Sequence, residues 1–128
     1  MKYLIDSSAW IEYLRGSKAG EKVYEILKED NEIYTLSINI GEVISKVKRD
    51  NGQIEIAYNS LTSNVNILGI TPEIAKEAGL LHAQLKEKIN SISLADTFMI
   101  ASAKAIYAKI LTCDEHFKNF KEAIIIQN

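Results

Sequence analysis

Residues 3 to 14 run Tyr3-Leu4-Ile5-Asp6-Ser7-Ser8-Ala9-Trp10-Ile11-Glu12-Tyr13-Leu14. The apolar triplet Tyr3-Leu4-Ile5 is unbroken by polar residues and stops at Asp6. Beyond it Trp10, Ile11 and Leu14 recur at helical spacing with Gly16 as the stop, so the stretch predicts strand, turn and helix. A strand without polar alternation is covered on both faces, as in a parallel sheet held between helices.

Working outward, the same alternation continues. Val23, Ile26 and Leu27 predict a helix over 19–30, and Ile33-Tyr34-Thr35-Leu36 a second strand. Asn39 is expected to cap a helix that runs to about Arg49 with Ile40, Val43, Ile44 and Val47 on one face. Asn51-Gly52 punctuates, a helix follows over about 53–62, and Val65 to Ile70 reads as a third strand. Thr71-Pro72 opens a helix to about Lys88, a capping hydroxyl followed by proline at the first helical position. Ser93 begins another, carrying Phe98, Met99, Ala103 and Ile106, before strands at 109–113 and 123–126. The expected fold class is α/β: a single three-layer α/β/α domain over residues 1–128, around a central parallel sheet of four to five strands. In such sheets ligands bind beyond the carboxyl ends of the strands.

Composition narrows the function classes. With 128 residues, 47% apolar and 25% charged, the chain matches a folded domain rather than a disordered tail or fibrous repeat. No apolar run approaches the roughly 20 residues of a membrane span, and Asp6 interrupts any secretory signal. A single cysteine, Cys113, forms no internal disulfide and no cysteine zinc cage, and a cytoplasmic location is expected. Fifteen Lys plus Arg against 17 Asp plus Glu give a charge of −2, which at first weighs mildly against nucleic acid.

Four of those acids occupy unusual places. Asp6 and Asp114 follow strands, while Glu42 and Asp96 sit near helix starts in apolar surroundings, so all four can converge at the carboxyl edge of the sheet. Each also has a local use. Asp6 and Asp114 can cap the helices after them, Asp96 stands three residues after Ser93 as in a capping box, and Glu42 can favour a helix N-terminus. Taken together, four converging anions need compensation, since two unit charges 4 Å apart repel by about 4 kcal/mol at an effective dielectric of 20. An all-oxygen cluster without nearby His or Cys ligands suits a hard cation, Mg²⁺ or Mn²⁺. Such an ion activates water and stabilises charge on a phosphoryl oxygen, which points to phosphodiester hydrolysis. Setting four acids aside leaves 13 against 15 bases, a weakly basic surround compatible with RNA.

The segments YLIDSSAWIEYL with Asp6, SINIGEVISKV with Glu42, SLADTFMIASAKA with Asp96 and ILTCDEHF with Asp114 resemble, in order and spacing, the PIN domain ribonucleases. Within that family the chain is similar to the compact VapC-type toxins of toxin–antitoxin pairs. The resemblance implies a metal-dependent endoribonuclease in which Asp6, Asp96 and Asp114 bind Mg²⁺ or Mn²⁺ directly and Glu42 acts through water. It also implies supporting roles for Ser7 and Thr112, a homodimer, and a cognate VapB-type antitoxin as partner. The family commonly has threonine where this chain has Asn39, and residues 50 to 90 match only as generic helices and a strand.

Other residues carry less. His116 and His82 lack a second His or Cys at ligand spacing, and Glu115 adjoins Asp114. Trp10 and Tyr13 can stack on bases or pack a partner, although core packing is the usual use of aromatics at helical spacing. A receiver domain needs paired acids after the first strand, and a haloacid-dehalogenase phosphatase needs an acid at position 8, which is Ser8. No Gly-rich phosphate loop is present. An RNA-processing nuclease outside a toxin–antitoxin pair and a non-catalytic RNA-binding scaffold of the same fold remain as alternatives. Added Mg²⁺ or Mn²⁺ separates cleavage from binding.

Overall fold

The opening triplet becomes the central strand of the sheet. The computed structural model describes residues 1–128 as β1 (Lys2–Ile5), α1 (Ser7–Arg15), α2 (Lys18–Lys28), β2 (Glu32–Leu36), α3 (Ser37–Arg49), α4 (Ile54–Thr62), β3 (Asn66–Leu68), α5 (Pro72–Lys86), α6 (Leu94–Ile106), β4 (Lys109–Thr112) and β5 (Ala123–Ile125), with a 3-10 turn at Glu115–Phe117 before the last strand. The strand order is β3-β2-β1-β4-β5 and every pairing is parallel. This is the three-layer α/β architecture expected from the alternation of strands and helices, with five strands.

Strand pleating divides the interior in two. Tyr3 and Ile5 pack into a core with Trp10, Val23, Val43 and Leu61 from α1 to α4, whereas Leu4 packs into a second with Met99, Ile100 and Ala103 from α6 and with Phe117. Each fully buried Leu or Ile contributes about 1.5–3 kcal/mol relative to exposure, so a strand apolar on both sides anchors both layers at once. Between α1 and α2 the backbones nearly touch. A Cβ on Gly20 would lie 2.1 Å from the Glu12 carbonyl oxygen, so only glycine permits this approach.

Several boundaries differ from expectation. The third strand is three residues long instead of six, because its partner β2 ends at Leu36, opposite Leu68, and α3 begins at once. The fifth helix stops at Lys86, and the chain turns over 87–90. Asn39 is no cap. The N-cap of α3 is Leu36, without a side-chain cap bond, and Asn39 lies inside the first turn with only 2% of its surface exposed.

In this strand order the chain runs outward from β1 through β2 to β3 and then returns to place β4 on the other side of β1. The crevice beyond the carboxyl ends of β1 and β4 is therefore the switch point where an open parallel sheet places its ligands. Asp6 directly follows β1, and Asp114 lies two residues beyond β4.

Candidate active site

A cavity of about 140 Å³ opens at that crevice, lined by Asp6, Glu42, Asp96 and Asp114 together with Ser7, Ser8, Asn39, Ser93, Ala95 and Met99. Four carboxylates separated by up to 108 positions of chain thus share one small volume, and no Lys, Arg or His lines it. Two larger concavities, between α5 and α6 and among α1, α3 and α4, contain none of these acids.

Asp6 is the most buried of the four, 8% exposed. Its Oδ2 accepts from Thr112 Oγ1 at 2.8 Å and from Ser8 Oγ at 3.0 Å. Burial pushes its pKa above the ordinary value; the hydrogen bonds from Thr112, Ser8 and the Ser7 backbone oppose that rise, and the charge of Glu42 adds to it. Ser8 and Thr112 stand 3.1 Å apart, but each hydroxyl has one proton and gives it to Asp6, so both remain acceptors. The backbone N–H groups of Cys113 and Asp114 fill those places, on Ser8 Oγ at 2.9 Å and Thr112 Oγ1 at 3.0 Å. The network ties the end of β1 to the segment that presents Asp114.

The other three acids each commit one oxygen to the chain. Glu42 Oε1 accepts from Asn39 Nδ2 at 2.9 Å. Asp96 Oδ2 accepts from the Ser93 backbone N–H at 3.0 Å, while Ser93 Oγ accepts from the Asp96 backbone N–H at 3.0 Å, completing a capping box at the start of α6. Asp114 Oδ1 accepts from the His116 backbone N–H at 2.9 Å and faces His116 Nδ1 at 3.4 Å. The second oxygen of each of these three carboxylates receives no hydrogen bond from the protein.

This donor set is the right chemistry for a hard divalent cation: anionic oxygens only, one of them desolvated, with no basic side chain to neutralise them. As arranged, no three His, Cys, Asp or Glu side chains are gathered tightly enough to hold an ion. The residues fit such an ion in kind, and rotation of the partly exposed Glu42, Asp96 and Asp114 side chains is what coordination would require.

Among the supporting residues the structure places Thr112 against Asp6 and distributes the serine roles differently from expectation. Ser7 lines the cavity, but the hydroxyl that reaches Asp6 is that of Ser8. Ser8→Ala is expected to destabilise the protein by about 1–2 kcal/mol, since it strips a donor from Asp6 and orphans the Cys113 N–H, whereas Ser7→Ala is expected to change stability by less than about 0.5 kcal/mol. Urea denaturation of the two variants checks this; equal losses would remove the distinction. His82 bonds the Ile92 carbonyl at 3.3 Å, and Glu115 accepts from Gln127, so neither serves the cavity. Trp10 is fully buried and unavailable to bases.

Asn39 is the residue whose part in the site the sequence did not disclose. Its spacing from Glu42 places both on one helix face, but its burial follows from the immediate passage of β2 into α3.

The PIN domain family matches residues 3–123. None of the curated proteins compared with the sequence matches it. Among solved structures the fold is similar to a chain of VapBC2 from Rickettsia felis, crystallised on a fragment of promoter DNA, with TM-score 0.77, 20% identity, and coverage of 98% of this chain and 97% of that one. It is also similar to a chain of a toxin–antitoxin complex from Klebsiella pneumoniae, with TM-score 0.76, 20% identity and 95% coverage of both chains. VapC20 of Mycobacterium tuberculosis, a toxin that cleaves the sarcin–ricin loop, superposes with TM-score 0.73 at 17% identity, over 91% of this chain and 92% of that one. With the family pattern running from residue 3 to residue 123 and the acids of its four segments gathered at one sheet edge, the chain belongs to the PIN domain family.

Proposed function

We propose that this protein is a Mg²⁺- or Mn²⁺-dependent endoribonuclease acting in the cytoplasm as the toxin of a VapBC-type pair. The observation that carries the reading is the single cavity lined by Asp6, Glu42, Asp96 and Asp114 without a basic residue. Family membership supports nuclease chemistry, and the similarity in fold to VapC20 and to chains of toxin–antitoxin complexes supports the toxin role and a VapB-type antitoxin partner; a homodimer is what the family resemblance implies. No helix is long and apolar enough to cross a membrane, and the one thiol, Cys113, has no disulfide partner, in keeping with a reducing compartment.

In this reading Asp6, Asp96 and Asp114 hold the cation, and Thr112 and Ser8 fix the orientation of Asp6. When bound, a divalent cation supplies positive charge for the phosphoryl oxygens and makes nearby water more acidic. Glu42 is the most exposed of the acids and retains an oxygen without a protein partner, so it is placed to accept a proton from the attacking water. The capping box holds Asp96 at the start of α6 while leaving its other oxygen for the cavity. A bound cation would also relieve the charge repulsion that four bare carboxylates impose on one another.

The direct test is cleavage of defined RNAs with and without metal. Cleavage is expected with added Mg²⁺ or Mn²⁺, to be lost in EDTA and to be restored by excess Mn²⁺. RNA binding without cleavage under all these conditions would replace the nuclease by a scaffold. For the biological role, expression is expected to arrest growth unless the gene of a small DNA-binding partner is co-expressed; unimpeded growth with active enzyme would indicate RNA processing instead.

A further inference from the structure

Asn39 lines the carboxylate cavity, is 2% exposed, and keeps its Oδ1 buried with no hydrogen-bond partner. The orientation of the amide is settled by its neighbour. Glu42 Oε1 lies 2.9 Å from Asn39 Nδ2, and a carboxylate only accepts, so the NH₂ faces Glu42 and the carbonyl is the atom left over. The carbonyl oxygen is shut off from solvent, so the one polar link of the amide is to Glu42.

We propose that Asn39 is a positioning residue, holding Glu42 Oε1 through its amide N–H so that the other oxygen of the carboxylate is presented to the cavity in one orientation. The inference rests on the nuclease reading and adds a part to it. Being three residues apart in α3, Asn39 and Glu42 move as a unit, and the helix start at Ser37 keeps the amide buried where bulk solvent does not compete. The remaining Glu42 oxygen stays free for proton transfer.

Two measurements test it. In steady-state RNA cleavage with Mn²⁺, Asn39→Ala is expected to lower kcat by about 10- to 100-fold, the usual loss when the partner that orients a working group is removed, with KM changed by less than about threefold. The double variant Asn39→Ala/Glu42→Ala is expected to be no slower than Glu42→Ala alone, because both changes disable one unit. An unchanged kcat, a loss confined to KM, or fully multiplicative losses would overturn the proposal. If Asn39→Ala does not fold, Asn39→Ser keeps a small polar side chain too short to reach Glu42 Oε1 and adds no charge, and the same kcat loss is expected. Independently of activity, high-resolution crystal structures are expected to show the Glu42 carboxylate in one orientation in the wild type and in several in Asn39→Ala; a single, unchanged orientation in the variant would overturn the proposal. Absence of RNA cleavage by the wild type under every metal condition would overturn the nuclease reading, while the crystallographic result still judges Asn39.

Discussion

Replacing Asp6 by Asn is expected to cut metal-dependent RNA cleavage by about 10³-fold or more, which corresponds to about 4 kcal/mol of lost transition-state stabilisation. The fold is expected to survive, because the amide has the shape of the carboxylate and its oxygen can still accept from Ser8 and Thr112. Stability without metal moves in the opposite direction to activity. Burial raises the pKa of Asp6 above its ordinary value of 3.8, so the native state binds a proton that the unfolded chain has already released. The contribution of Asp6 to stability is therefore greatest below 3.8, falls as pH rises through the window between 3.8 and the raised native value, and is flat above it. At neutral pH in EDTA the wild type carries this penalty and Asp6→Asn does not, so the variant is expected to melt higher; the gap should close in acid. Added Mn²⁺ reverses the order, since a cation bound only by the native state contributes about 2.7 kcal/mol at a hundred times its dissociation constant. Paired melting curves across pH, with EDTA and with Mn²⁺, check both signs. Cleavage by Asp6→Asn within tenfold of wild type, or a wild-type melting temperature indifferent to Mn²⁺, would remove Asp6 from the metal site.

The same carboxylates show where sequence is informative. Asp96 invites two readings, cap and ligand, and the structure makes them compatible: the capping box uses Oδ2 alone, while the residue still lines the cavity. Asp114 likewise caps the 3-10 turn through Oδ1 and lines the same cavity. For Asp6 the local reading fails, because its side chain makes no cap bond at the start of α1 and is held instead by Thr112 and Ser8. Local spacing was enough to place Pro72 at the first position of α5 and Ser93 at the head of α6. It was not enough for Ser8 or Asn39. Which of two adjacent serines turns toward Asp6 depends on the angle between β1 and α1, and whether an asparagine caps α3 or lies within it depends on how abruptly β2 ends. The neighbourhood of β1 and β4, which creates the crevice, is a property of chain crossover and carries no local signature.

Trp10→Ala is expected to destabilise the protein by about 3–5 kcal/mol, a large share of the 5–15 kcal/mol that holds a typical domain folded. The indole is fully buried in the core between the sheet and α1 to α4, with Tyr13 edge-on at 5.8 Å between ring centroids. Its Nε1–H donates to Thr35 Oγ1 at 2.7 Å, and the Thr35 hydroxyl spends its single proton on the Ile5 carbonyl at 3.1 Å. This relay binds α1 to β2 and to the last residue of β1, immediately before Asp6, so the large aromatic both fills the core and fixes the sheet edge on which the acids stand. Trp10→Phe separates the two contributions: most of the apolar volume remains and the donor is lost, for an expected cost of about 1–2 kcal/mol from the broken relay plus a smaller packing term. Urea midpoints for the wild type and both variants measure the series. A loss below about 1 kcal/mol for Trp10→Ala would mean that the indole is not a core residue and would reopen its use as a surface for bases or a partner.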